Sequence, residues 1–392
     1  MSSDIIIAAA RRTPIGAFQG ALAGVTASQL GATAIAAAVA DAGIDGADVD
    51  EVLMGCVLPA GQGQAPARQA ALAAGIPSAV PCTTVNKMCG SGMKTIMLGH
   101  DMLRAGSADV IVAGGLESMS NAPYLLPKAR TGYRMGHQEV IDHMFVDGLQ
   151  DPFEGRMMGH YAELTARKYG YSREQQDAYA LESVTRAQSA VREGRFSDET
   201  AAVTVGTRNG DVVVDADETP GTVNIDKIPT LRAAFAEDGT VTAASSSSIS
   251  DGAAATVLMT AAEADRRGVR PLARLVGHSS FAQEPAWFTT APVSAIEKLH
   301  EQLGWSADDV DLYEINEAFA VVAMAAMRDI GLSHDKVNVN GGACALGHPI
   351  GATGARIATT LIYALRARSL KRGIASLCIG GGEAVAIGVE IA

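Results

Sequence analysis

Several kinds of segment are missing from this sequence, and each absence excludes a class of protein. The densest apolar run covers only residues 32–40, far short of the roughly 20 residues that cross a bilayer, so no membrane contact is expected. Basic residues number 31 and acidic residues 43, and the net charge of −12 argues against a nucleic-acid partner. The motifs CxxC, HExxH and GxGxxG are absent, so neither a metal site nor dinucleotide binding is predicted.

What the chain does contain indicates a large folded protein. Its 392 residues are 48% apolar and include 42 glycines, which allows two or three domains with close helix–sheet packing and many tight turns. Residues 5–10 are predicted to form a first buried strand, because the run is too short for a signal peptide. The C-terminal residues 390–392 match no peroxisomal or ER address. Five dispersed cysteines argue against a disulfide scaffold and for a reducing compartment, which we expect to be the cytoplasm.

The sequence also contains an internal duplication. Three pairs of segments match in order, with offsets of 261, 262 and 266 residues. They are 42–55 with 303–316, 103–105 with 365–367, and 113–117 with 379–383. A period this long is unlike a solenoid repeat and predicts two similar α/β halves.

Each half alternates β-branched runs with Ala-rich stretches, which predicts buried strands with helices on both faces of the sheets. Residues 119–249 differ: they carry more charge, exposed-looking strand residues at 212–214, and a helix that Ser172 is placed to cap. This segment is predicted to be an inserted loop domain with a binding role. The expected domains are 1–118 with 250–270 (first half), 119–249 (insert) and 271–392 (second half).

Cys89 lies in a segment that suits a reactive thiol. Residues 82–85 look like a strand and residues 91–105 like a helix, so Cys89 falls in the turn against a helix N-terminus. Free N–H groups there favour anions and are expected to lower the thiol pKa below its usual value of about 8.5. Gly90 and Gly92 would let a substrate approach the backbone. The alternative interpretation is a buried structural cysteine.

His348 lies in a Gly-rich run that precedes the matching helix of the second half. On the offset of 262, Cys89 corresponds to Gly351, so His348 is one turn before the start of that helix. If the halves pack as a pseudo-dimer, His348 approaches Cys89 and could act as its general base. The alternative is a structural histidine with satisfied hydrogen bonds.

Two further positions complete the candidate chemistry. Cys378 ends a strand and leads into Gly380–Gly382, whose backbone N–H groups could form an oxyanion hole. A second thiol there could carry a proton, or Cys378 could be a small core residue. Asn316 takes the place of Gly55 of the first half and could orient a water or a carbonyl, although asparagine at a strand end is often a turn or cap residue.

Together these segments resemble the thiolase family over the whole length of the chain. Cys89 stands in Asn-x-x-Cys-Gly-Ser-Gly, Asn316 in Asn-Glu-Ala-Phe, His348 in Gly-His-Pro, and Cys378 in Cys-x-Gly-Gly-Gly. The resemblance is strongest to the short-chain members that act on acetyl-CoA. It implies an α/β, five-layer α-β-α-β-α fold of two duplicated halves with an inserted loop domain. It also implies a homotetramer, a dimer of dimers, that uses acyl-CoA and coenzyme A as substrates and needs no cofactor.

The family mechanism, placed on these residues, is a ping-pong Claisen condensation. His348 would take the Cys89 proton, the thiolate would accept an acetyl group, and Cys378 would deprotonate a second acetyl-CoA. The resemblance implies one oxyanion hole from His348 with a water held by Asn316, and another from the N–H groups of Cys89 and Gly380. The reverse reaction is thiolysis of a 3-ketoacyl-CoA.

The resemblance also implies a set of substrate contacts. They are Leu149, Met157, Lys227, Phe235, Ser247, Phe288, Ala318 and Phe319. Met157 stands where bacterial biosynthetic members have His, Phe288 where many have Met, and the run 245–248 replaces Gly/Ala-Asn-Ala-Ser. Pro220 stands where a basic residue can meet the CoA phosphates, so Lys227 or Arg232 would replace it. These departures keep open the alternative of a thiolase that accepts longer or branched 3-ketoacyl-CoAs.

Three rival functions fit less of the sequence. A decarboxylating ketoacyl synthase would pair its cysteine with two histidines, or with His and Asn, whereas this chain has Cys378 at the second acid/base position. A catalytically inactive lipid carrier would not need Cys89, His348 and Cys378 together. A Cys–His hydrolase leaves both Cys378 and the duplication unexplained.

Overall fold

The computed structural model describes residues 4–391; Ala392, part of the C-terminal tripeptide considered above, lies outside them. The strands are β1 (Ile5–Arg12), β2 (Gly16–Ala17), β3 (Glu51–Gly55), β4 (Cys82–Val85), β5 (Val110–Ser118), β6 (Tyr124–Leu125), β7 (Ile141–Asp142), β8 (Val203–Thr207), β9 (Gly210–Val214), β10 (Ser250–Thr260), β11 (Ala273–Ala282), β12 (Leu312–Ile315), β13 (Arg372–Ile379) and β14 (Glu383–Ile391). The helices are α1 (Ala27–Ala42), α2 (Pro66–Ala73), α3 (Ser91–Ala105), α4 (Met158–Tyr169), α5 (Arg173–Arg192), α6 (Glu218–Thr222), α7 (Ala261–Arg267), α8 (Ala291–Leu303), α9 (Ala320–Ile330), α10 (Ala343–Leu346) and α11 (Thr353–Ala367).

The main sheet runs in the order β12-β13-β14-β11-β1-β10-β5-β3-β4, with β2 paired to β10. Its two ends have the same plan: β3 lies parallel to β5 on one side, and β12 lies parallel to β13 on the other. The two parts join through a short antiparallel pairing in which Ile5, Ile6 and Ile7 of β1 face residues 273–275 of β11. We call β1, β3–β5, β10 and α1–α3 the first half, and β11–β14 with α8, α9 and α11 the second half.

Helices cover both faces of each part of the sheet and give the five layers expected from the sequence. Helices α1 and α2 pack on the outer face of the first half, and α8 and α9 on the outer face of the second half. Helices α3 and α11 form the central layer, where Met93 and Ile96 share one core with Ile357 and Leu361. This core includes apolar side chains from both parts of the sheet. Both faces are buried in β1, β5, β10, β13 and β14, which therefore read as nearly continuous apolar runs.

The duplication is visible in the structure, with one correction. Helices α3 and α11 have 15 residues each and start 262 residues apart, as the second sequence match predicts. The third match is wrong as a structural equivalence. Gly114 and Gly115 lie inside β5, opposite Ala255 and Ala254 of β10. Gly380 and Gly381 instead follow β13 in the turn that leads to β14.

The segment between β5 and β10 contains α4, α5, α6 and the hairpin β8–β9. Ser172 caps α5 as predicted: its hydroxyl accepts from the backbone N–H of Gln175, and the Gln175 side chain accepts from the N–H of Ser172. The segment is tied to the first half through Arg12 of β1, which is fully buried and donates to Glu199 at 2.5 Å and to Asp217 at 2.7 Å. Removing one partner of such a buried pair typically costs about 3–5 kcal/mol.

Candidate active site

Cys89 occupies a turn that neighbouring side chains hold in place. Strand β4 ends at Val85 and α3 begins at Ser91, as predicted. The Asn86 Oδ1 accepts from the N–H of Met88 at 2.9 Å, and the Ser91 hydroxyl donates to the Met88 carbonyl at 2.6 Å. Met88 itself has a φ of 48°, a strained value for a residue with a side chain. The polar residues on both sides of Cys89 thus fix the backbone that presents the thiol.

The two glycines beside Cys89 have a packing role that the sequence did not predict. A Cβ on Gly90 would lie 2.5 Å from the Cδ1 of Ile379, and one on Gly92 would lie 3.0 Å from backbone atoms of Ala355 and Gly351. Both glycines therefore face the second half of the protein. They allow the start of α3 to pack against β13 and α11, and the approach of a substrate to their backbone stays a prediction.

The pKa of Cys89 is raised, not lowered as the sequence suggested. Burial is the main cause and brings the pKa to about 11, although the backbone N–H groups of Gly380 and of Cys89 itself act in the opposite direction. The helix N-terminus is therefore too weak an influence to ionise this thiol. In the resting protein Cys89 is a neutral thiol that needs a base.

His348 is held in the form that can act as this base. Its Nδ1 lies 2.6 Å from the hydroxyl oxygen of Thr353, and that hydroxyl donates to the Pro349 carbonyl at 2.9 Å. The Thr353 oxygen must then accept from Nδ1–H, which leaves the Nε2 of His348 as an unprotonated acceptor. Burial, with the positive charge of Arg356, lowers the pKa of His348 to about 3, so the ring stays neutral.

Asn316 lies directly behind His348. It follows β12, donates from its backbone N–H to the Ser376 carbonyl at 3.0 Å, and is almost fully buried. Its Nδ2 lies 3.5 Å from the Nε2 of His348, and its Oδ1 has no hydrogen-bond partner among the described residues. An unpaired buried oxygen is costly, which indicates that this amide is kept for a role beyond packing.

Cys378 and Gly380 lie at the end of β13, on the other side of Cys89. Cys378 is fully buried, and its pKa is raised well above the usual value by burial and by the negative charge that Cys89 would carry. The two thiols are therefore electrostatic neighbours. Gly381 and Gly382 have φ values of 97° and 93°, so only glycine allows this turn without strain, and the turn aims the Gly380 N–H at Cys89.

Most of the predicted substrate contacts line one cavity of about 380 Å³ together with the nucleophile. The predicted residues on its wall are Cys89, Leu149, Met157, Phe235, Ser247, Phe288, Ala318, Phe319, His348 and Gly380. Sequence reasoning missed Phe145, Gly148, Met158, Gly159, Ala234, Ser246, Ile249 and Ile350. The wall is mainly apolar, which suits an acyl chain and the uncharged part of a CoA arm.

Three predicted residues are not on the cavity wall. Asn316 and Cys378 are buried behind it, against His348 and Cys89 respectively. Lys227 lies in a neighbouring cavity of about 270 Å³, which shares Ser246 with the first. Lys227 is therefore outside the cavity that contains Cys89.

Glu117 also shapes the site and was predicted only as part of the repeated glycine motif. Its buried carboxylate accepts from the backbone N–H groups of Val57 at 3.0 Å, Leu58 at 3.1 Å and Gly351 at 2.8 Å. Burial raises its pKa to about 7 despite these donors. Because Gly351 belongs to the turn after His348, Glu117 joins that turn of the second half to the first half.

Comparison with known proteins agrees with this geometry. Residues 5–262 match the thiolase N-terminal domain and residues 269–391 match the thiolase C-terminal domain. The chain belongs to the thiolase family, and its fold is the thiolase fold.

Individual relatives are similar along the whole chain. An acetyl-CoA acetyltransferase from Pseudomonas aeruginosa is 49% identical over 387 residues, which cover 98% of each chain. One from Chromobacterium violaceum is 48% identical and covers 99% of both chains. The crystal structure of the Bacillus anthracis acetyl-CoA acetyltransferase superposes with a TM-score of 0.97 at 42% identity, covering 100% of this chain and 99% of that one. Among the described residues, no helix is long and apolar enough to span a membrane.

Proposed function

We propose that this protein is an acetyl-CoA C-acetyltransferase, which condenses two molecules of acetyl-CoA into acetoacetyl-CoA and free CoA and also runs the reverse thiolysis. The observation that carries the proposal is the meeting of two thiols and a neutral histidine at one cavity. Cys89 and His348 line that cavity, and Cys378 is close enough to Cys89 to feel its charge. The names of the full-length relatives support the same reaction.

The first half-reaction transfers an acetyl group to Cys89. The Nε2 of His348 takes the thiol proton as the sulfur attacks the thioester carbonyl, because neither group is ionised beforehand. The carbonyl oxygen becomes an oxyanion, and the N–H groups of Cys89 and Gly380, which already face the sulfur, stabilise it. The protonated His348 then returns its proton to the leaving CoA thiolate.

The second half-reaction forms the carbon–carbon bond. Cys378 first gives its thiol proton to the Nε2 of His348, and the resulting thiolate removes an α-proton from a second acetyl-CoA. The enolate so formed attacks the acetyl carbonyl on Cys89. The enolate oxygen accepts a hydrogen bond from the protonated Nε2 of His348 and another from a water that Asn316 orients through its unpaired Oδ1. Collapse of the tetrahedral intermediate releases acetoacetyl-CoA, and the departing Cys89 thiolate takes a proton from His348, which restores the neutral thiol and the neutral histidine.

The cavity wall supplies the binding side of the proposal. Phe235, Phe288 and Phe319 provide apolar surface for the acyl group and the pantetheine arm, and Phe235 packs edge-to-face on Phe319 with ring centroids 5.8 Å apart. Ser247 donates to the Ala318 carbonyl at 3.0 Å, which fixes the insert against the second half at this wall. Lys227 or Arg232, both exposed, are the candidates for the CoA phosphates.

The proposal extends to the surroundings of the reaction. We propose a homotetramer, with part of residues 119–145 bridging dimers, that uses coenzyme A only as substrate and product and needs no other cofactor. All five cysteines are free thiols, which supports a reducing compartment such as the cytoplasm. We also propose three domains: residues 1–118 with 250–270 as the first half, 119–249 as the inserted loop domain, and 271–392 as the second half.

A thiolysis assay tests both the reaction and its range. Purified protein and CoA are given acetoacetyl-CoA, 2-methylacetoacetyl-CoA or longer 3-ketoacyl-CoAs, and kcat/KM is measured for each. We expect acetoacetyl-CoA to be the best substrate and double-reciprocal plots to give the parallel lines of ping-pong kinetics. Higher kcat/KM on longer chains would replace the proposal by a broad-range thiolase, and hydrolysis without CoA would contradict the thiolase reaction.

A further inference from the structure

A second group of chemically active side chains lies away from the catalytic cavity. His100 and Asp101 lie near the end of α3, and His278 lies on β11. The Asp101 Oδ1 is 3.0 Å from the Nδ1 of His100 and 2.8 Å from the Nε2 of His278. His100 is nine residues beyond Ser91, the first residue of α3, so it lies roughly 14 Å along the helix axis from the Cys89 turn.

We propose that His100, Asp101 and His278 bind one divalent transition-metal ion, of which zinc fits the donors best. Two imidazole nitrogens and a carboxylate oxygen form a common zinc ligand set, with bonds of about 2.0–2.2 Å. In a tetrahedral site such ligand atoms lie roughly 3.3 Å apart. The three atoms here all lie within 4.8 Å of one another, so small side-chain adjustments bring them to an ion.

The two histidine rings of this group are mostly buried, whereas its aspartate is exposed to solvent. The side chains of His100 and His278 are only 7% and 19% exposed, so packing fixes the two rings, whereas the Asp101 side chain is 56% exposed. An ion can therefore enter from the Asp101 side, and a water can complete its coordination there. The rings meet edge-to-face with centroids 5.0 Å apart, which aims two different nitrogens at one carboxylate.

Burial and neighbouring groups shift the pKa values of His100 and Asp101. Burial lowers the pKa of His100. Burial would raise the pKa of Asp101, but hydrogen bonds from the two histidines outweigh it, and the net pKa is lowered. Arg104, exposed one turn further along α3, lowers the pKa of His100 and would reduce the affinity for a cation.

The ligands come from the two halves of the protein. His100 and Asp101 belong to the central helix of the first half, and His278 belongs to the first strand of the second half, three residues beyond the β1–β11 pairing. A bound ion would therefore fasten the halves together close to where their sheets join. No metal site was predicted from the sequence, because His278 is 177 residues from Asp101 along the chain and the three residues form no short motif.

The test uses the untagged full-length protein in a Cys89→Ala background, because a reactive thiol also binds zinc. After EDTA treatment and dialysis, ZnCl₂ is titrated by calorimetry, and CoCl₂ is titrated by visible absorption. We expect one ion per chain, a tetrahedral Co²⁺ spectrum without thiolate bands, and a melting temperature that rises with zinc because the ion binds only the folded state.

Matched variants decide whether these residues hold the ion. His278→Gln and Asp101→Asn each remove one ligand at a partly exposed position, and we expect the zinc affinity to fall by at least about tenfold. His137→Gln changes an exposed histidine in another region and should leave the affinity unchanged. Melting temperatures in EDTA show that each variant is folded.

Two results would overturn the proposal. Zinc binding in the Cys89→Ala background that is the same in His278→Gln and Asp101→Asn would place the ion elsewhere. If none of these proteins binds zinc stoichiometrically, the three residues form a hydrogen-bonded His–Asp–His bridge without a metal ion. Neither result depends on the acetyltransferase activity, so this proposal stands or falls separately.

Discussion

In the first half of the protein the turn before the central helix presents Cys89, whereas in the second half the equivalent turn presents Gly351. The two helices, α3 and α11, have the same length and the same place in the fold. A side chain on Gly351 would lie 2.6 Å from the Glu117 carboxylate, which accepts from the N–H of Gly351 at 2.8 Å. The second-half turn thus packs against Glu117 of the first half. The catalytic side chain of the second half, His348, lies one turn earlier in the chain.

The strand ends differ in the same way. A Cβ on Gly55, which ends β3, would lie 2.7 Å from Ser91 and Gly92 at the start of α3. The equivalent residue after β12 is Asn316, which reaches His348 instead. Where one half needs close packing the other carries a functional side chain, so the duplication supplies the scaffold and its asymmetries supply the chemistry.

The largest effect is expected from removing the thiol of Cys89, which distinguishes the first-half turn from its second-half equivalent. Cys89→Ala should lower kcat/KM for thiolysis by about 10⁴-fold or more and abolish labelling by an alkylating CoA analogue, because no covalent intermediate can form. Cys82→Ala is the matched control, since Cys82 is also a free thiol on the preceding strand but lies outside the cavity. Robust turnover by Cys89→Ala would rule out the mechanism.

The second half contributes the proposed general base, His348. His348→Ala should lower kcat/KM by about 10²–10⁴-fold. Because the pKa of His348 is lowered to about 3, the native enzyme should keep its base form throughout the pH range below 6.5 in which an ordinary histidine becomes protonated. In His348→Ala, kcat/KM should rise with pH toward the Cys89 pKa of about 11, because the thiolate then forms only by losing its proton to solvent. A native acid limb near pH 6.5 would contradict this assignment.

Replacing Cys378 should affect a different half-reaction from replacing Cys89. Cys378→Ala is expected to form the acetyl-enzyme at a near-native rate but to condense about 10²–10⁴-fold more slowly, because the α-proton has no base. Quenched samples analysed by mass spectrometry report acetylation of Cys89, and acetoacetyl-CoA formation reports condensation. If acetylation is lost together with condensation, Cys378 is not confined to the second step.

Local patterns were enough to place the central helices and the nucleophile turn. The strand at 82–85 and the helix at 91–105 have the predicted bounds, because β-branched residues, small turn residues and apolar periodicity act over a few positions. The offset of 262 then located the turn before α11. The alternation of strand and helix patterns predicted sheets covered by helices on both faces, and the resemblance to the thiolases implied the five layers.

The predictions that were wrong or missing concern features that depend on packing between segments distant in the sequence. The thiol pKa of Cys89 rises because of burial, and Cys89 packs against a core built from both halves, which no local pattern records. The glycines at 114–115 and 380–381 look alike but have different causes: Gly115 packs against the Gly351 carbonyl, whereas Gly381 needs a positive φ. Phe145 and Met158 reach the cavity only because the insert folds over it.

A smaller effect is expected when Asn316 is replaced by the residue of the first half. Asn316→Gly should lower the condensation rate by about 10²–10³-fold, the usual cost of losing one oxyanion-hole donor. Asn340→Gly is a suitable control, because Asn340 is also a buried asparagine but bonds Arg368 rather than His348. Equal losses in the two variants, with equal drops in melting temperature, would indicate a structural role for Asn316.

The smallest effect tests how His348 is oriented. Thr353→Val removes the acceptor for the Nδ1–H of His348, so the ring is no longer held in one tautomer, and we expect kcat to fall by roughly tenfold with little change in KM. Thr359→Val, in the same helix, removes a buried hydroxyl that bonds only the Ala355 carbonyl, and it should leave kcat unchanged. Thr353→Ser should restore activity, since a serine hydroxyl can make both hydrogen bonds. If Thr359→Val lowers kcat as much as Thr353→Val, the loss reflects helix packing, and the position of Nε2 does not depend on Thr353.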